Sequence, residues 1–369
     1  MSTQIKIYST TDVHGCLGRP ESPAEPSLMR VKQHIDSCSA EWPAGSRIML
    51  DAGDFLSGGP LTYYNLFTRQ GDAMWPAEVA SMMEYDAMAP GNHDLELRWG
   101  RLEAFASNAG ITLVGANEPS ASPFTIISRN GLRVAVIGMA MPPYCRPLDD
   151  PMPYVEDAMR QVRADGYIDA VVGLFHLSPE DCARIASGIA GFDVIFCGHD
   201  HKDCCVRIVS GRVPVINPGP RANAVAEACL VKDDNGRVEV VKPRIVKLGD
   251  TPAHGKWPDP PEGFHEWMKQ TFADFPHTMR LDSLISRALM KAVKADAVKA
   301  PESDIFLEGP QSIADTFEWM PYEDFAVSVR TGDGKMTATT PYLAATLFPG
   351  APICEVSPLP LRHYLLRNE

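Results

Sequence analysis

From Ile5 to about residue 230, short apolar runs alternate with amphipathic stretches. A side-chain period of 2 suits strands and one of about 3.6 suits helices, so the alternation confines this chain to a layered α/β architecture. The predicted strands are Ile5–Ser9, Arg47–Ala52, Thr112–Val114, Thr125–Ile127, Arg133–Ile137, Ala170–Leu174 and Val194–Phe196. The predicted helices are Asp72–Glu84, Trp99–Ala109, Tyr154–Ala164 and Pro179–Ile189. Past Asn217-Pro218-Gly219 the pattern turns strand-like, at Ala224–Val231 and Val238–Leu248, as if a second sheet closed the layer. A first domain is therefore expected over residues 1–248.

A chain of 369 residues is long enough for two domains at about 100 to 200 residues each. Residues 249–263 hold four prolines and three glycines, a composition that favours a stiff extended linker over packed structure. Beyond it, Phe264–Phe275 and Leu281–Ala297 read as helices, and 264–369 is expected to form a smaller second unit. No apolar run approaches the roughly 18 residues of a membrane-spanning helix. Lys plus Arg number 34 and Asp plus Glu 47, a formal charge of −13, which repels nucleic-acid polymers and excludes them as expected partners. A small phosphate substrate stays open, because bound divalent cations invert the field inside one cleft. The nine cysteines are odd in number and irregularly spaced, with several in apolar surroundings such as Ile195-Phe196-Cys197, which fits reduced core thiols. The N-terminus enters a strand at once with no basic and apolar leader, so a cytoplasmic location is expected.

Five segments place His, Asp and Asn just after predicted strands, where open α/β sheets bind ligands. They are Asp12-Val13-His14, Gly53-Asp54, Gly91-Asn92-His93-Asp94, Phe175-His176 and Gly198-His199-Asp200-His201, and they contain five of the ten histidines. Singly, each has an ordinary reading as turn chemistry. Jointly they do not, since independent turns have no reason to concentrate imidazoles behind successive strands. Neutral imidazole and carboxylate suit Zn, Mn, Fe or Co, and a shared carboxylate can hold two such cations about 3.5 to 4 Å apart. One cation can then activate water while the other binds a phosphoryl oxygen.

In this order the five motifs resemble the calcineurin-like metallophosphoesterases. Gly53-Asp54-Phe55-Leu56-Ser57-Gly58-Gly59-Pro60, Tyr85–Asp94 and Leu113-Val114-Gly115-Ala116-Asn117 are similar to the 5'-nucleotidase and 2',3'-cyclic-phosphodiesterase group, over roughly residues 4 to 248. The resemblance implies a four-layer αββα sandwich with a short, degenerate C-terminal α/β segment, and two divalent cations as cofactors. Asp12, His14 and His201 would bind one metal, Asn92, His176 and His199 the other, and Asp54 would bridge. His93 would contact the phosphoryl group or protonate the leaving oxygen, with Asp94 or Glu96 orienting its ring; Gly100 comes late for the usual motif, which leaves the choice open. The implied reaction is in-line hydrolysis of a phosphate monoester, a 5'-nucleotide foremost, without a covalent enzyme intermediate. A cyclic-nucleotide phosphodiesterase, a thiosulfate-ester hydrolase and a metal-binding interaction scaffold are the rivals, the last opposed by His93, for which a scaffold has no chemical use.

Tyr63 and Tyr64 follow the Gly-rich loop and are candidate substrate contacts, with packing as the alternative. Adjacent strand residues face opposite ways, so Cys204 and Cys205 are read as structural. His34, His254, His265, His277 and His363 stand outside any motif and are read as surface or packed residues. The segment Ser303–Gly309 lacks the Asn-Gly-Gly-x-Arg pattern of the group, so a base clamp built from Trp319, Tyr322 or Phe325 is not expected, and base selectivity should be weak.

Overall fold

The protein is described by a computed structural model covering residues 3–20, 25–42, 44–68, 74–97, 99–143, 148–201, 204–249, 253, 255–280, 306–314, 325–330, 336–339 and 353–360. In chain order the strands of its main body are β1 (Thr3–Thr10), β2 (Arg47–Asp51), β3 (Ala87–Met88), β4 (Thr112–Leu113), β5 (Phe124–Arg129), β6 (Leu132–Met139), β7 (Ala170–Phe175), β8 (Val194–Cys197), β9 (Cys205–Val209), β10 (Val213–Asn217), β11 (Ala224–Lys232) and β12 (Val238–Lys247). The helices are α1 (Leu28–Ser37), α2 (Pro60–Tyr63), α3 (Met74–Met83), α4 (Asn92–Glu96), α5 (Trp99–Ala109), α6 (Pro151–Ala164), α7 (Pro179–Gly188) and α8 (Phe264–Met268). Among the described residues no helix is long and apolar enough to cross a membrane.

Strand alternation builds the layers. The strands form two six-stranded sheets, ordered β12-β11-β1-β2-β3-β4 and β5-β6-β7-β8-β10-β9. Ile5, Ile7, Ile48 and Leu50 on one sheet meet Val134, Val136, Val172, Leu174 and Phe196 on the other, forming the core between them. The residues of opposite parity face outward. Tyr8 and Met49 pack under α1, α3 and α5, while Ala135, Ile137, Phe175 and Ile195 pack under α6 and α7. The order helix, sheet, sheet, helix follows from apolar residues on both faces of each strand. β1, β2 and β3 run parallel, as do β6, β7 and β8, so their C-terminal ends gather on one rim.

The predicted strands and the helices of the first 248 residues lie in or across the observed ones, but the second sheet expected from Ala224–Val231 and Val238–Leu248 is corrected: β11 pairs with β1, so both strands extend the first sheet. α6 begins earlier than expected because Asp150 caps Met152 N with Pro151 at the first position. Of the labelled elements in the first 248 residues, α1, α2, β3, α4, β9 and β10 went unpredicted; α2, β3 and α4 span only two to five residues, too few to show a period. α1 carried its own signal, Ser27 accepting from Met29 N ahead of Leu28, Val31 and Ile35. β9 and β10 form a short antiparallel pair, closed through Ser210 and Gly211 at φ +51° and +68°. The helix predicted over Phe264–Phe275 is corrected: α8 stops at Met268, and Thr271–Arg280 is a strand paired with Phe306–Ser312. The helix predicted over Leu281–Ala297, and Trp319, Tyr322, His254 and His363, lie outside the described residues.

The described part of 249–263 runs without helix or strand but is anchored to the first body. Trp257 is buried and donates Nε1–H to Leu17 O at 2.6 Å, Trp75 Nε1 donates to Asp259 O at 2.7 Å, and Tyr64 OH donates to Glu262 O at 2.9 Å. Proline and glycine content carried no signal for the docking of Trp257, which packs in the core of the first body.

One buried ion cluster ties α1 to the first sheet. Glu227 in β11 stands opposite Tyr8 in β1 and Arg244 in β12. Its fully buried carboxylate accepts from Lys6 Nζ at 2.6 Å, His34 Nε2 at 2.6 Å and Arg244 Nε at 2.8 Å. Burial would raise this carboxyl, but the His34, Lys6 and Arg244 hydrogen bonds hold it down at about 2.

Candidate metal centre

Each motif occupies the loop after a parallel strand. Asp12 and His14 follow β1, Asp54 follows β2, Asn92 and His93 open α4 after β3, His176 follows β7, and His199 and His201 follow β8. The loops after β1 and β2 run side by side, with Asp12 N bonded to Gly53 O at 2.7 Å, His14 N to Asp54 O at 2.9 Å and Gly15 N to Phe55 O at 2.9 Å. Asp12, His14, Asp54, His199 and His201 all have positive φ, between +47° and +86°. Left-handed backbone at a non-glycine residue costs on the order of 1 kcal/mol or more, so this site holds strain that the bonds between loops must offset. Gly91 and Gly198 permit the closest approaches: a Cβ at Gly91 would overlap the Asp54 carboxylate, and one at Gly198 would overlap Thr11 Oγ1 and Asp12 Oδ2.

The side chains form two groups whose candidate ligand atoms lie within 4.8 Å of one another, Asp12 with His14 and His201, and Asp54 with His176 and His199. His201 Nε2 is 3.1 Å from Asp12 Oδ1 and 2.9 Å from His14 Nε2. His176 Nε2 is 3.1 Å from Asp54 Oδ2, outside hydrogen-bonding geometry. Asp12 Oδ1 lies 3.9 Å from both His14 Nε2 and His176 Nε2, so the groups adjoin. Asn92 is buried with neither side-chain Oδ1 nor Nδ2 hydrogen-bonded.

This donor set fits divalent cations. His14 donates Nδ1–H to Ser57 O at 3.1 Å and His176 donates Nδ1–H to Ala52 O at 2.6 Å, so backbone carbonyls fix the tautomers and turn each Nε2 toward its carboxylates. Burial depresses His14 to about 4, and burial together with the neighbouring His176 does the same to His199, leaving neutral imidazoles. Burial would lower His176 too, but the Asp54 charge outweighs it and raises the ring to about 9. The field that favours a proton on His176 also favours a cation. A buried Asn92 oxygen without a hydrogen-bond donor is a further uncharged ligand of the right kind.

His93 stands beside these groups, its ring 5.5 Å from that of His14, and its Nδ1–H donates to Glu96 Oε2 at 3.0 Å. The carboxylate behind His93 is thus Glu96, and the orienting role given to Asp94 is corrected. One helical turn carries Glu96 back beneath the ring, whereas Asp94 points to the loop after β2 and accepts from the amides of Asp54, Phe55, Leu56 and Gly91 at 2.7 to 3.2 Å. Burial, then the Asp54 charge, raises the Asp94 carboxyl to about 6.

Of the two readings of Tyr63 and Tyr64, substrate contact or packing, the structure shows packing. Their rings are 3% and 9% exposed, Tyr63 stacks on Trp267 at 5.8 Å, and Tyr64 meets both Trp267 and Phe264. The aromatic partners come from α8, about 200 residues away in sequence, which no local pattern reveals. Asp200 accepts from Asn217 Nδ2 at 3.4 Å, away from both groups. Sequence reasoning missed the backbone acceptors Ser57 O and Ala52 O, since a carbonyl carries no residue-type signal.

Among curated proteins, the chain is 24% identical over 244 residues to the trifunctional nucleotide phosphoesterase protein YfkN of Bacillus subtilis, covering 53% of this chain and 16% of that protein. It is 25% identical over 233 residues to protein UshA of Yersinia enterocolitica, covering 55% of this chain and 41% of that one. The chain thus spans less than half the length of these relatives. A 5'-nucleotidase precursor from Thermus thermophilus shares the fold, with a TM-score of 0.66 and 17% identity over 98% of this chain and 95% of that one. Residues 5–203, which hold every one of the five motifs, match the calcineurin-like phosphoesterase family, and the chain belongs to that family.

Proposed function

We propose that the chain is a dinuclear-metal phosphoesterase that hydrolyses phosphate monoesters, 5'-nucleotides foremost. The observation that carries this reading is His93, backed by Glu96, set beside two adjoining histidine–carboxylate groups. Asp12, His14 and His201 would hold one cation and Asn92, His176 and His199 the other, with Asp54 shared. Bound there, Mn, Zn, Fe or Co would supply Lewis acidity and an activated water for in-line attack.

The chain's own residues do the rest. Glu96 fixes the His93 tautomer, so Nε2 is the ring's working nitrogen toward substrate. A protonated His93 steadies the phosphoryl oxygens and delivers its proton to the leaving alkoxide. Ala52 O and Ser57 O keep His176 and His14 from turning away from the carboxylates. The relatives are named as nucleotide phosphoesterase and nucleotidase proteins, which favours nucleotides within the phosphate-ester class. In this reading residues 1–248 carry the chemistry, 249–263 join the parts, and 264–369 form the smaller companion.

The test is kcat/KM for AMP, UMP, ribose 5-phosphate, a 2',3'-cyclic nucleotide and a thiosulfate ester, with metal content by elemental analysis. Monoesters should be cleaved, with AMP and UMP differing by less than about 100-fold. Turnover confined to the cyclic nucleotide or the thiosulfate ester would replace this reading with one of those rivals.

A further inference from the structure

Asp94 is fully buried two residues after Asn92, yet it faces neither group of ligands nor the His93 ring. Its carboxylate instead gathers amides from two loops. Oδ2 accepts from Asp54 N at 2.7 Å and Gly91 N at 3.1 Å, and Oδ1 accepts from Phe55 N at 3.1 Å and Leu56 N at 3.2 Å. Asp51 Oδ1 takes the preceding amide, Gly53 N, at 2.9 Å. Four successive N–H groups of one turn therefore end on two buried carboxylates. Such convergence requires left-handed backbone, and Gly53 and Asp54 have φ of +102° and +55°.

The same turn presents its carbonyls to the neighbouring loop, where Asp54 O and Phe55 O accept from His14 N and Gly15 N. The Asp54 carboxylate also accepts from His93 N at 2.9 Å. The turn thus touches residues of the His14 loop, α4 and the His176 group.

We propose that Asp94 is a positioning residue for the metal centre: by binding the amides of Asp54, Phe55, Leu56 and Gly91 it fixes the left-handed turn that aims the Asp54 carboxylate at His176. This inference rests on the dinuclear reading above and deepens it. An asparagine at 94 keeps one acceptor oxygen and turns an NH₂ group toward two backbone donors, so either Asp54 and Gly91 or Phe55 and Leu56 lose their acceptor.

The experiment titrates the metal-stripped chain with Mn²⁺ alone, reading bound Mn²⁺ by electron paramagnetic resonance. Asp94→Asn should bind Mn²⁺ about 10- to 100-fold more weakly than wild type, as expected when the support of a ligand is lost. Val162→Ala, which opens a cavity in the separate core under α6, should be destabilised yet keep wild-type Mn²⁺ affinity in its folded fraction. Glu96→Gln should bind Mn²⁺ as wild type does while its kcat falls. Wild-type Mn²⁺ binding by Asp94→Asn overturns the assignment. Should Asp94→Asn not fold, hydrogen exchange on the metal-free wild-type chain decides: slow exchange at residues 54–56 supports the clamp, and exchange as fast as in an open loop overturns it. A wild-type chain that binds two Mn²⁺ but cleaves none of the esters refutes the phosphoesterase reading and leaves the Mn²⁺ comparison to decide Asp94; one that binds none refutes the dinuclear reading itself.

Discussion

Replacing Glu227 with glutamine removes one charge from the cluster between β11 and α1 while keeping the shape of the side chain. Lys6, 4% exposed and with Nζ 2.6 Å from Glu227 Oε2, then loses its counter-charge inside the protein. Breaking a buried pair by removing one partner costs about 3 to 5 kcal/mol. An independent route gives a similar figure. The Glu227 carboxyl lies at about 2 in place of its ordinary 4.5, and at about 1.36 kcal/mol per pH unit this difference is worth about 3 kcal/mol of folding free energy. The folded state binds the proton less readily than the unfolded state. The contribution is therefore complete above pH 4.5 and is lost as pH falls from there toward 2. Urea unfolding of wild type and Glu227→Gln at pH 7, 5, 4 and 3 measures it, because the difference between the two proteins cancels the other carboxylates. The expected difference is about 3 kcal/mol at pH 7 and 5, shrinking steadily below pH 4.5. A difference under about 1 kcal/mol at pH 7, or one that stays constant down to pH 3, refutes the argument.

His93→Ala should retain its metals while kcat falls about 100-fold or more, the loss expected of a general acid; elemental analysis beside steady-state kinetics checks it, and loss of metal would make His93 a ligand. Asp54→Asn should weaken both metal sites together, since the shared negative charge is gone, whereas loss of one cation with the other bound at wild-type affinity would mean that Asp54 serves a single site. Gly198→Ala places a methyl group against Thr11 Oγ1 and Asp12 Oδ2, so it should lower Mn²⁺ affinity about 10-fold or more. Wild-type Mn²⁺ titration by that variant would show that the loop after β8 can move aside.

The layered architecture was legible because its causes are local. Ile5, Ile7, Ile48 and Leu50 alternate with outward-facing residues in the chain itself, and Ser27 or Asp150 marks a helix start within a few positions. The chemical residues were legible for a related reason, since each sits directly behind a strand and strand ends converge in a parallel sheet. What sequence left open depends on atoms remote along the chain. Whether Asp94 or Glu96 supports His93 turns on residues 92–96 being helical, which brings position i+3 and not i+1 beneath the ring, and on the amides of Asp54, Phe55 and Leu56, 38 to 40 positions earlier. Tyr63 and Tyr64 follow a glycine-rich loop beside the site, and only the docking of Phe264 and Trp267 turns them into packing. The residue types and their order are properties of the sequence. The tautomers of His14 and His176, the left-handed turns at Asp12, His14 and Asp54, and the partner of each carboxylate were decided by tertiary structure, because each depends on backbone groups that folding alone brings within hydrogen-bonding distance.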